Sequence, residues 1–279
     1  MSRRLKLLTG LSTLALGGVV ALAGCGGEGE GAEGEGAQSA HHGEAEGSEG
    51  EGEGANAAAS VGGEAEGASL VDAAHDKSAY LSALQIVRGH LRAGVELYAS
   101  GDRNLGPQHM RHPQAEILTT LSPAFAAYGA QNVEPAIDAL ASAGEAGAPP
   151  VEIGALDEAA IVSVNKAAAA ADASLKEKLL AVARTLTVAA DEYSIAVKDG
   201  AIVNLHEYHD AYGFIAVALG DLKVLSGKTD AEKNAIAAVI EQTKIASTAA
   251  PTVTPPAEFE PASTIYGAAA RIEIAARAL

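Results

Sequence analysis

Two short segments carry most of the side chains able to do chemistry. One is His206-Glu207-Tyr208-His209-Asp210-Ala211-Tyr212, and the other is Gln108-His109-Met110-Arg111-His112-Pro113-Gln114-Ala115-Glu116. On a helix, His206 shares a side with His209 three residues on and with Asp210 four residues on. Imidazole and carboxylate together suit iron, copper or zinc. Asp210 and Glu207 are candidate ligands, or carboxylates that hold a ring nitrogen in one tautomer. His109 and His112 read as part of a shaped loop at a helix entrance, with Pro113 in the first helical turn and Glu116 just after it, where negative charge is favoured. His112 and Glu116 are candidates to add ligands. His90 lies at the edge of an apolar stripe beside Gly94, a position from which it could point inward. The candidate metal set is therefore His206, His209, Asp210, His112, His90, His109, Glu116 and Glu207. Each residue also has a plain reading as a core, loop or helix-surface polar group. His75 stands apart and reads as a surface or capping residue.

Several chemistries lack their motif. His206-Glu207-Tyr208-His209 is one residue short of H-E-x-x-H, and there is no C-x-x-C-H for covalent haem. Haem held between a histidine and Met110 has no further support. Repeated Glu-x-x-His pairs, the mark of di-iron bundles, are absent. No G-x-S-x-G element and no glycine-rich phosphate loop is present. The expectation is a protein that is not an enzyme.

The elements that must position these groups are helical. Alanine is abundant, β-branched alternation is rare, and Leu and Ala recur at helical spacing. Helices are expected at about 71–100, 113–129, 133–145, 155–170, 173–199, 201–219, 229–248 and 262–279. The first carries Leu84, Val87, Leu91, Val95 and Tyr98 on one stripe. Asn104 to Pro107 reads as loop. Gly200 is expected inside one continuous or slightly bent helix. Gly213, one turn beyond Asp210, would admit another helix or a ligand. The expected fold is all-α, an up-and-down helical bundle over residues 70–279.

The chain before it divides in two. Arg3, Arg4 and Lys6 precede an apolar run that ends in Leu22-Ala23-Gly24-Cys25, with the only cysteine of the chain. The run is too short for a secure membrane span. These residues resemble the processing site of bacterial lipoproteins. The resemblance covers residues 1–25 and implies a signal peptide over 1–24, cleavage before Cys25, acylation of that thiol and of the new amino terminus, and life in the cell envelope. Gly26 rather than Asp after the cysteine favours, within that class, the outer membrane. The implied partner is the lipid bilayer, with an envelope protein or outer-membrane receptor as a further candidate.

Residues 26–69 hold eleven Glu and no Lys or Arg. Like charges repel and glycine adds backbone entropy, so a disordered acidic tether is expected over 25–69, with a reach of roughly 35–40 Å for a flexible coil. His41 and His42 make weak cation collection a second role for it. The formal charge is −17. Loss of Arg3, Arg4 and Lys6 would take it to −20, and leaving out the eleven tether glutamates gives −9 for the remaining domain. Such a surface suits cations or basic proteins and excludes nucleic acid as a natural partner.

In architecture, location and His/Glu-rich interior the chain resembles the imelysin-like helical proteins of bacterial envelopes, some of which accompany iron uptake. Those carry G-x-H-x-x-E. Here Gly89 and His90 are adjacent and Glu96 is more distant, so no residue role carries over. The sequence thus points first to an envelope lipoprotein that binds or delivers a transition metal. An acidic helical scaffold docking a partner, and a bundle binding haem or another small ligand, are the alternatives.

Overall fold

A computed structural model describes residues 72–279; the expected signal peptide, Cys25 and the tether lie outside the described residues. Among the described residues there are nine helices: α1 (Lys77–Ser100), α2 (Leu105–Glu116), α3 (Leu118–Tyr128), α4 (Glu134–Glu145), α5 (Pro150–Ala170), α6 (Leu175–Ala196), α7 (Leu205–Leu222), α8 (Asp230–Ala246) and α9 (Ser263–Arg277). They pack as one all-α bundle. Its one extended piece is a minimal hairpin, β1 (Val197–Lys198) paired antiparallel with β2 (Ala201–Ile202). No helix among the described residues is long and apolar enough to cross a membrane.

The helix starts follow from their capping residues. Asp76 accepts from the backbone N–H groups of Ser78 and Ala79 at the head of α1. Ser174 with Glu177, and Thr229 with Glu232, form reciprocal capping boxes on α6 and α8. α1 ends at Gly101, whose φ of 102° places it in the left-handed region that closes a helix.

α1 is the central element. It packs on α7, α2, α6 and α5, while α9 covers α6 and α8. It is buried on nearly every side, and small residues such as Ala79, Ala83, Gly89 and Ala93 let its neighbours come close. The closest approaches are at glycines. A Cβ added to Gly213 of α7 would stand 2.8 Å from the Gly89 carbonyl carbon of α1 and nearer still to its oxygen. A Cβ at Gly94 would stand 2.8 Å from the Gly106 oxygen of α2, and one at Gly106 2.9 Å from the Gly94 oxygen. Backbone-to-backbone contact at these two crossings draws α2 and α7 onto α1 on either side of His90.

Buried polar groups tie the same helices together. Ser82 and Thr185 share a hydrogen bond of 3.0 Å, Thr185 donates to Gln85 at 2.7 Å, and Gln85 donates to Asp221 at 2.9 Å. Arg88 donates to both oxygens of Asp221, so α1, α6 and α7 are linked by one chain of hydrogen bonds.

Two sequence expectations are corrected. The segment read as loop through Asn104–Pro107 and as a shaped loop through His112 is helical: α2 starts at Leu105, so His109 and His112 sit inside a helix, and Pro113 lies within it rather than in a first turn. Glu116 accordingly closes α2 instead of opening a helix. The break comes later, at Ile117 between α2 and α3. Second, the helix expected to run on through Gly200 is interrupted. Asp199 and Gly200 have φ of 52° and 74°, and the chain turns back as a hairpin before α7. Asp-Gly is a hairpin signal, and here, with Val197 paired to Ile202 across it, it overrides the helical periodicity on both sides.

Candidate metal centre

Three helices supply the site. α1 contributes His90, α2 contributes His109 and His112, and α7 contributes His206, His209 and Asp210. α7 starts where it does because the Asn204 side chain accepts from the His206 backbone N–H at 3.1 Å, which places His206 in the first turn and Asp210 one turn deeper. α2 is held from its outer side. Arg111 donates to Glu145 and Asp138 of α4, to Ser142, and to Gln114 in its own helix. Met110 is buried, its sulfur 2.9 Å from where a Cβ on Gly144 would sit. Replacement of Arg111 by methionine is therefore expected to lower the melting temperature by a few degrees at low salt. Raising the salt should shrink that difference, because exposed ion pairs are screened; thermal melts across a salt series check it.

Asp210 is the hub. Its Oδ1 lies 2.7 Å from His90 Nδ1 and 2.9 Å from His109 Nδ1. A carboxylate oxygen only accepts, so both rings present Nδ1–H to it. The far nitrogen of His109, Nε2, lies 3.2 Å from His209 Nδ1, and His206 Nε2 lies 3.2 Å from His112 Nδ1. The rings of His109 and His206 stack at 3.9 Å between centroids, and those of His112 and His206 at 4.2 Å. Phe214 packs at right angles to His90, with 4.9 Å between ring centroids.

The cluster has a dry side and a wet side. The side chains of His90 and His109 are wholly buried and that of Asp210 is 3% exposed, whereas His112 is 25% and His206 20% exposed. Burial, reinforced by neighbouring imidazoles, pushes His112 down to about 4 and His206 to about 3; burial and His109 push His209 to about 4. These rings are neutral at physiological pH, the state in which imidazole binds metal. Burial opposes ionisation of Asp210, but the charges and hydrogen bonds of His90 and His109 overcome it and hold the carboxyl well below the ordinary range.

His90, His109, His112 and Asp210 each offer one ligand atom, all within 4.8 Å of one another, a cluster able to hold a transition-metal ion. The other candidates take different places. His206 adjoins this group, 4.0 Å from Asp210 Oδ2. His209 stands one step back, against His109. Glu116 lies 3.8 Å from His112 on the wet side, and Glu207 accepts from the Asn204 side chain at 3.3 Å. His75 is exposed in the turn before α1. The residues that sequence reasoning missed are those that steer the ligands: Asn204, Arg111 and Gly106. Asn204 had a visible signal, since it immediately precedes the helix.

Fold and site together define a helical bundle with a buried histidine–aspartate metal-binding cluster. Residues 168–279 are similar to the iron permease-associated 4-helix bundle domain. That stretch contains all of α6, α7, α8 and α9, and it brings His206, His209 and Asp210. His90, His109 and His112 come from the chain before it. No curated protein and no solved structure matches the chain.

Proposed function

We propose that this protein is a non-catalytic, lipid-anchored envelope protein that binds a transition-metal ion, iron first among the candidates, for delivery to a partner in the envelope. The observation that carries the reading is the convergence of His90, His109, His112 and Asp210 from three helices into one buried group. One carboxylate and three imidazoles would leave a bound divalent ion with reduced charge in a largely dry setting. The similarity of residues 168–279 to an iron permease-associated domain supports iron over copper or zinc. Leu22-Ala23-Gly24-Cys25 supports the anchor, Gly26 supports the outer membrane, and the acidic run over 26–69 supports a tether that leaves the domain room to meet its partner. The imelysin-like resemblance in architecture and location agrees with such a role.

The test is titration of the chain with iron(II), copper(II) and zinc(II) under anaerobic conditions, followed by elemental analysis. One ion retained per chain is expected. Asp210→Asn keeps the shape and the acceptor oxygen but removes the charge, and it should weaken binding by about 10–100-fold. Absence of any retained or titratable metal would sink the proposal.

A further inference from the structure

The cluster contains more donors than the buried group uses, and the surplus lies on one side. His206 and Glu116 are outside the group of four, yet both adjoin His112. His206 Nε2 lies 3.2 Å and Glu116 Oε2 lies 3.8 Å from the same atom, His112 Nδ1. Two nitrogens bound to one ion at about 2.0–2.1 Å stand about 2.8–3.4 Å apart at octahedral or tetrahedral angles, so the His112–His206 pair already has the separation of two neighbouring ligands. All three side chains reach solvent, at 25%, 20% and 19% exposed for His112, His206 and Glu116, whereas His90 and His109 have none. His112 belongs to both sets: its ring is 4.2 Å from that of His206 and 5.5 Å from those of His90 and His109.

From this geometry we propose that His206, His112 and Glu116 form an outer station, which takes a divalent metal ion from water and passes it inward by exchange of ligands around His112. The inference rests on the metal-binding reading above. Because His112 is shared, the two stations alternate in holding one ion, and the stoichiometry is one. The ion first sheds water onto Glu116 and His206 at the mouth. It then trades these two for His90, His109 and Asp210 while His112 stays attached. Glu116 supplies the negative charge that makes the first step favourable for a cation. No group is oxidised or reduced in this path.

A residue that lowers the barrier to passage without contacting the ion in its final place changes the rates in both directions equally. A ligand of the final site instead changes the release rate and the affinity. Cobalt(II), whose visible absorbance reports binding, distinguishes these in stopped-flow uptake and in chelator-driven release. For Glu116→Gln, tested in the full chain, uptake and release are both expected to slow about tenfold with the dissociation constant and the stoichiometry unchanged; for His206→Gln, whose ring adjoins Asp210, uptake is expected to slow about tenfold. Wild-type uptake in both variants would overturn the outer station while leaving the buried site standing. So would a loss of affinity with unchanged uptake in Glu116→Gln, which would make Glu116 an ordinary ligand. Failure of the wild-type chain to take up cobalt(II), iron(II), copper(II) or zinc(II) would instead remove the metal-binding reading itself, and the station with it.

Discussion

Metal-free protein is expected to lose stability steeply as the pH falls from 6.5 towards 4. In the folded chain burial keeps His112, His206 and His209 neutral down to about 4, 3 and 4, against an ordinary value of 6.5. Unfolded, the same rings protonate near 6.5, so the unfolded state binds more protons throughout that window. Stability therefore rises with pH across it, is fully present above 6.5, and is lost as the pH drops through the folded values. Three rings act in the same direction, which makes the slope steep. Asp210 contributes lower down: its depressed value gives stability that is present above 3.8 and fades only as the pH falls further. Thermal melts followed by circular dichroism, in buffer containing a chelator, would show the midpoint falling between pH 6.5 and 4. A midpoint that stays level over that range would mean the rings are not held neutral by the fold. Substitution of His209 by asparagine should remove part of the slope and nothing above pH 7.

The second large effect is expected at Gly213. Alanine there would drive a methyl group into the Gly89 backbone, which cannot swing aside as a side chain can. Overpacking of a rigid core costs typically 1–3 kcal/mol, and a clash with backbone places Gly213→Ala at about 3 kcal/mol or above. The neighbours make the effect functional as well. Gly89 precedes His90, and Gly213 lies three residues after Asp210, so separating α1 from α7 here opens the 2.7 Å contact between His90 and Asp210. Urea denaturation should show a lowered midpoint, and metal titration a lowered affinity in the same variant. Gly154→Ala is the counter-case. Nothing lies within 4 Å of the added Cβ on α5, so the gain in helix propensity should raise stability by about 0.5–1 kcal/mol. If the two glycines respond alike, the α1–α7 crossing is looser than its geometry shows.

The helical class and most of the helices were legible in the sequence because Leu and Ala recur with helical spacing over long stretches. The placement of His206, His209 and Asp210 together on one helix was also legible, since they fall within five positions. Two local features were misread for the same reason: short-range turn chemistry competed with periodicity. Pro107 and Pro113 made α2 look like loop, yet its early position excuses Pro107 from donating, and Pro113 lacks only the N–H that would have met the His109 carbonyl. Asp199-Gly200 looked like a tolerated interruption, yet both residues adopt positive φ and turn the chain. The mutual geometry of His90, His109 and Asp210 was not legible at all. It depends on Gly89 meeting Gly213 and Gly94 meeting Gly106, and single-chain spacing does not reveal which glycines face each other.

The hub at Asp210 has a mechanical consequence. It joins His90 and His109 across 120 and 101 positions of chain, so an ion seated there would rivet α1 and α2 to α7. Cargo would then govern durability: loaded chains should resist protease for longer than empty ones, and release of the ion would leave the protein easier to clear.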